Sequence, residues 1–214
     1  MARKSSENIE AFWKRVIDFN DAAAFQSLFY ALNARLIRYC LFYIHQKQAA
    51  EEIVSDVFVK FWLQRKNLKH VKKPETYLFV MVKNRAINYN KRHSSIHLVS
   101  LEDATNDIAD TFRADLELEK KELFFRLDHA IDSLPQQSRI IFKLAKEEGL
   151  KYKEVAEILG VSPRTVQTQL YRAMKKLSCE MRSYLQYANH PSLVNIEPVV
   201  VVGLILALGI FFSF

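Results

Sequence analysis

The stretch YKEVAEILGVSPRTVQTQLYRAMKKL, residues 152–177, decides the fold, because it reads as two helices folded about a tight turn. Outside the C-terminal tail the chain has only two glycines, Gly149 and Gly160, and they bracket the first of these helices. Gly160 stands where a left-handed residue would end a helix, since glycine takes positive φ without a Cβ clash. Ser162 then offers an N-cap oxygen, and Pro163 falls at the first helical position, where its missing N–H costs nothing. Helix, glycine turn, Ser-Pro and second helix, in that order, describe a helix-turn-helix, whose second helix usually enters the DNA major groove.

Helical phasing separates the two sides of that second helix. At about 100° per residue, Val166, Leu170, Ala173 and Leu177 fall in one narrow arc, which must be buried. Arg164, Thr168, Tyr171, Arg172 and Lys175 cluster opposite. Cations and hydrogen-bonding side chains outward, with no acid among them, suit base edges and phosphates. An ordinary surface helix with a solvated basic face would show the same phasing, but the glycine and Ser-Pro punctuation argues against it.

The charge is segregated along the chain. Of the net +7, residues 1–93 hold 17 Lys and Arg against 8 Asp and Glu, residues 94–122 hold 3 against 8, and residues 123–182 hold 11 against 7. Two basic blocks joined by an acidic segment point to two modules on a polyanion. The 214 residues suffice for two small domains, each with its own core. Two distant cysteines, Cys40 and Cys179, make neither a disulfide framework nor a metal site and fit a reducing cytosol. The N-terminus has no apolar signal-peptide core. No HExxH, phosphate-binding glycine loop or nucleophile motif occurs, so the chain reads as a binding protein with no cofactor or metal.

Few glycines and prolines, with long runs at 3.6 periodicity, predict a nearly all-helical chain. Helices are expected near 8–18, 21–45, 48–66 and 75–92, with breaks at Asn20-Asp21 and Pro74, and near 117–132, 136–148, 152–159 and 163–186. Residues 94–118 lose the periodicity and gain Asp, Thr and Ser. The fold class is all-α: two helical domains, 1–93 and 119–188, joined by a flexible acidic linker, 94–118, and followed by a hydrophobic segment within 189–214.

The first block carries two helices of its own character. In AEEIVSDVFVKFW, residues 50–62, an apolar face is built on Ile53, Val57 and Phe61. Glu52, Ser55, Asp56, Val59 and Trp62 lie around the far side, and acids mixed with a valine and an aromatic suit a protein contact. Core packing is the simpler reading of Trp62 taken alone. In ETYLFVMVKNRAINYNKR, residues 75–92, Asn84, Asn88 and Lys91 form one stripe beside Arg85 and Arg92. Asn amides bond bases or phosphates, and the run 69–73, with Lys72 and Lys73, adds cations.

Together these stretches resemble the bacterial sigma-70 family, specifically its extracytoplasmic-function (ECF) group, over almost everything from Ala22 to Arg182. The resemblance implies that residues 1–93 are a region 2-like domain and 119–188 a region 4-like domain. The helix with Glu52, Asp56, Val59 and Trp62 would dock on core RNA polymerase, whose β′ clamp and β flap are the implied contacts. Lys72, Lys73, Asn84, Arg85, Asn88, Lys91 and Arg92 would recognise and open the −10 element of promoter DNA. The loop 70–75 would take part in single-strand capture. Arg164, Thr165, Gln167, Thr168, Tyr171, Arg172 and Lys175 would read the −35 element, preceded by an LPxxxRxIFxL-like run at residues 134–144. The acidic linker would thread toward the active-site and RNA-exit path, and an anti-sigma factor is an implied partner.

The tail departs from that pattern. VVVVGLILALGIFFSF, from Val199 to Phe214, holds 16 residues without a charge. At 1.5 Å per residue a helix of that length spans about 24 Å, short of the ~30 Å hydrocarbon core. Hydrophobicity without a polar stripe favours membrane association, with Lys175, Lys176 and Arg182 on the cytoplasmic side; packing on the second domain or on a partner is the alternative. The expected location is the cytoplasm, with this tail as an attachment to the inner membrane face. The competing function is an autonomous helix-turn-helix regulator, tethered or free, but such a regulator needs a ligand or dimer domain where this chain has its acid-aromatic and Asn-bearing helices.

Overall fold

The computed structural model describes residues 2–93 and 125–187, and every regular element among them is helical. The expected acidic linker and apolar tail lie outside the described residues. The chain divides into two compact units, Met1–Ala104 with Lys153–Val161, and Thr105–Tyr152 with Ser162–Phe214.

In the N-terminal part, α1 (Ala2–Phe19), α2 (Ala22–Cys40), α3 (Lys47–Gln64) and α4 (Pro74–His93) pack on one another. The break between α1 and α2 comes from two adjacent residues. Asn20 takes φ 53°, a left-handed conformation that asparagine tolerates better than most side chains. Asp21 then caps α2 by accepting the Ala24 N–H at 3.0 Å, and Arg15 Nη2 reaches the same carboxylate at 2.6 Å. α2 stops at Cys40, short of the expected residue 45, because i→i+3 bonds tighten the chain there: the Phe42 N–H donates to Tyr39 O at 3.2 Å and the Tyr43 N–H to Cys40 O at 2.9 Å.

The core between these helices is aromatic. Trp13 stacks on Phe61 with centroids 4.4 Å apart, and Phe25 lies 5.8 Å from the same ring. Phe58, Phe61, Leu78, Phe79 and Val82 are buried beneath them. Such ring pairs contribute about 0.5–1.5 kcal/mol each beyond the area they bury. Cys40 belongs to this interior; burial pushes its thiol up to about 12, so it stays protonated and fills space, whereas Cys179 is exposed.

The Asp21 cap makes stability depend on pH. The Ala24 backbone N–H, and then the Arg15 guanidinium, hold its carboxyl below the ordinary carboxylate value. A depressed folded-state pKa stabilises the fold above the unfolded value and loses that contribution as pH falls through the folded one. Asp21→Ala is therefore expected to melt earlier than the unmodified chain at neutral pH, with the gap narrowing in acid below about 3.9. Thermal melts at both pH values check this; a gap of constant size would remove the charge from the explanation.

Further along the chain, the described portion of α5 covers residues 125–132, α6 (Gln136–Phe142) runs on into a π-helical turn (Lys143–Glu147), and α7 (Tyr152–Leu159), which clusters with the first unit, precedes α8 (Pro163–Tyr187) in the second. The π turn was not expected from the sequence. It closes with the Glu148 N–H on Lys143 O at 3.0 Å, just before Gly149 turns the chain at φ 70°. α6 packs on α8, and Ile131, Ile141, Phe142 and Leu144 share a buried core with Val166, Leu170 and Leu177.

Candidate nucleic-acid interface

The turn before α8 is built as its residues dictate. Gly160 sits at φ 74°, and its N–H and that of Val161 both close on Ala156 O, at 2.9 and 3.0 Å. Ser162 Oγ accepts the Thr165 N–H at 3.0 Å, and Pro163 opens the helix. These bonds set where α8 begins and therefore which side chains its first turns present.

The buried arc of α8 is the expected one: Val166, Leu170, Ala173 and Leu177 are all buried, joined by Met174. Arg164, Gln167, Thr168, Tyr171, Arg172 and Lys175 are exposed, and Thr165 is half-buried beside its cap. Tyr171 leaves 68% of its surface in solvent, a large aromatic among cations. The Thr168 hydroxyl donates to Arg164 O at 3.0 Å, which orients it along the helix. Two contacts hold this helix on its support. The buried Ser138 hydroxyl donates to Gln169 Oε1 at 2.8 Å, and Lys176 Nζ donates to Ser133 O at 2.9 Å. Sequence reasoning missed both: Ser138 stands among Gln136, Gln137 and Arg139, so nothing in the local pattern marks it as the buried one.

On α3, Ile53, Val57 and Phe61 are buried as expected, with Val54 and Phe58 beside them. Glu52, Asp56 and Val59 are exposed. Val59 is 57% and Leu63 72% exposed, so these two side chains, one turn apart, make an apolar strip edged by acids. Leu63 was missed, although it lies four residues beyond Val59. Trp62 sits differently: it is half-buried, its ring 4.9 Å from Phe25 and 4.1 Å beneath the Arg65 guanidinium, which also bonds Asn20 Oδ1 at 2.7 Å. The ring is fixed by its neighbours before any partner arrives.

On α4, Asn84, Asn88, Lys91 and Arg92 are exposed, as are Lys72 and Lys73 in the preceding loop. Arg85 is half-buried, and its Nη1 meets Asp56 Oδ2 at 2.7 Å, bringing together residues that the sequence placed in two separate roles. The start of α4 is held from α2, where Arg35 pairs with Glu75 and lies 5.9 Å from the Phe79 ring centre. Among the described residues no group of His, Cys, Asp and Glu could hold a metal ion, and no helix is long and apolar enough to cross a membrane.

An exposed acid-edged apolar strip on α3, an Asn-bearing basic α4 and a capped helix-turn-helix with a basic outer face are together the marks of a DNA-reading protein. Comparison with known proteins names the class. Residues 28–96 match the model of sigma-70 region 2, and residues 124–177 that of sigma-70, region 4; together they span more than half of the chain. The RNA polymerase sigma-H factor of Pseudomonas aeruginosa is 23% identical over 176 residues, 78% of this chain and 91% of that protein. The RNA polymerase sigma factor SigV of Bacillus subtilis is 27% identical over 142 residues, 65% of this chain and 80% of its own length. Among solved structures, CnrH in complex with the cytosolic domain of CnrY superposes with TM-score 0.53 at 19% identity, covering 85% of this chain and 99% of that one. The sigma factor RpoE in complex with the anti-sigma factor NepR from Bartonella quintana gives 0.55 at 18% identity, over 74% and 96%. These structures share the helical fold. The chain belongs to the sigma-70 family of RNA polymerase sigma factors, in its ECF group, and its function is promoter-directed transcription initiation.

Proposed function

We propose that the chain divides this work between its parts as the sequence implies. Residues 1–93 bind core polymerase and recognise and open the −10 element, residues 94–118 connect, and residues 119–188 read the −35 element. The observation that carries the reading is the outer face of α8: six exposed side chains able to donate hydrogen bonds, with no acid among them, above a fully buried stripe. Arg164 and Arg172 suit bidentate contacts to guanine; Gln167, Thr165, Thr168 and Tyr171 suit further base or phosphate oxygens, and Lys175 a phosphate.

The strip of Val59 and Leu63, flanked by Glu52 and Asp56 and steadied by the fixed Trp62, is the surface offered to the polymerase β′ clamp; the C-terminal module meets the β flap. An anti-sigma factor is a further partner, a reading supported by the solved relative bound to one. Asn84 and Asn88, with Lys72, Lys73, Lys91 and Arg92 around them, capture the opened strand. The double substitution Asn84→Ala with Asn88→Ala is expected to leave polymerase binding intact and to slow strand opening, read by permanganate reactivity of −10 thymines. Loss of both functions together would show that these residues serve the fold instead.

The uncharged segment from Val199 to Phe214 attaches the factor to the inner face of the cytoplasmic membrane. Burial of this run of 16 uncharged, mostly apolar residues drives the attachment, while the short span opposes full insertion. The full-length protein is expected to stay with membranes through a carbonate wash, and truncation after Asn195 to release it. A full-length protein found wholly in the supernatant defeats the attachment.

A further inference from the structure

The Asp56–Arg85 pair joins the two surfaces of the N-terminal bundle. Asp56 lies on α3 among the residues offered to polymerase; Arg85 lies on α4 beside the Asn84–Asn88 stripe offered to DNA. Their side chains meet at 2.7 Å while remaining 65% and 38% exposed. A pair this open to water adds little to stability, since exposed ion pairs are screened and carry an entropic cost. What it does do is occupy each group's charge. While Asp56 holds Arg85, the guanidinium is neutralised and turned toward α3; a phosphate must displace a carboxylate to reach it. A cation of the docked polymerase drawn to Asp56 would free Arg85 by the same exchange.

We propose that Asp56 is a positioning residue that withholds Arg85 from DNA in the free factor and yields it when the α3 face is docked. The proposal rests on the assignment of α3 to polymerase and of α4 to the −10 strand. Because binding free energies are reciprocal, DNA captured by Arg85 must in turn favour docking through Asp56. The device gives the free factor lower affinity for nucleic acid than its net charge implies, and restores that affinity only in the complex.

The test uses the full-length chain without polymerase and a single-stranded −10 oligonucleotide, followed by fluorescence anisotropy over a salt series. Asp56→Asn keeps the side chain's size and removes its charge. It is expected to raise affinity about two- to five-fold at low salt, the range of an exposed ion pair, and to steepen the salt dependence by roughly the 0.7 expected per added single-strand phosphate contact. In an Arg85→Ala background the same substitution is expected to change neither. A rise that persists without Arg85 would reduce the effect to loss of one negative charge and overturn the proposal, as would no rise at all. Assembled polymerase carrying Arg85→Ala supplies the second arm. If promoter opening falls there while Asp56→Asn leaves the free chain unchanged, α4 contacts DNA but the withholding device is absent; if opening is unaffected, Arg85 is not a DNA contact and the underlying assignment fails as well.

Discussion

Val59→Asp combined with Leu63→Asp is expected to abolish co-purification with core polymerase while leaving the chain folded. Both side chains already sit mostly in water, at 57% and 72% exposure, so replacing them opens no cavity. Exposed substitutions of this kind usually change stability by no more than about 0.5 kcal/mol. At the centre of a docked interface the same positions would each be worth about 2 kcal/mol or more, and burying an unpaired carboxylate adds to the cost. The combined loss is roughly a thousandfold in affinity, enough to empty the complex at working concentrations. Circular dichroism and a pull-down on the same preparation separate the outcomes. A folded double variant that still assembles moves the docking surface elsewhere.

Arg164→Ala and Arg172→Ala are expected to reduce promoter-specific transcription without touching assembly. Each removes a fork of donors from the outer face of α8, at a cost of about 1–3 kcal/mol of promoter binding if it reads a base. The buried arc below, from Val166 to Leu177, is untouched, so the helix stays in place. Promoters altered at single −35 positions add resolution: a base-reading arginine loses discrimination at one position, whereas a phosphate-contacting one weakens all sequences alike. If either variant loses polymerase binding and keeps promoter choice, the outer face of α8 has been given the wrong partner.

Much of this was legible because local chemistry and tertiary packing agree. Gly160 takes the positive φ, Ser162 makes the cap and Pro163 opens the helix, as their chemistry suits them to do; the arc of Val166, Leu170, Ala173 and Leu177 follows from periodicity alone. Asn20 and Asp21 likewise announce the turn between α1 and α2. What periodicity does not encode is which long side chain reaches which neighbour. Trp62 falls on the outer arc of α3 by angle, yet Phe25 comes from α2 to meet its ring, while Arg65, three residues on, lies over it. Arg85 and Asp56 are 29 residues apart and meet only when α3 packs on α4. Ser138 and Gln169, 31 apart, are joined in the same way. The end of α2 at Cys40 and the π turn after Phe142 are set by hydrogen bonds that compete with regular helix over a few residues, too local for an apolar pattern to report.

The most direct test of the assignment is transcription in vitro from genomic fragments, with core polymerase alone, with the chain alone, and with both. Discrete initiation sites that appear only when both are present, and vanish when Arg164 and Arg172 are replaced, are the predicted result. A chain that binds the same duplexes equally well without polymerase, and adds no initiation site when polymerase is supplied, would contradict it.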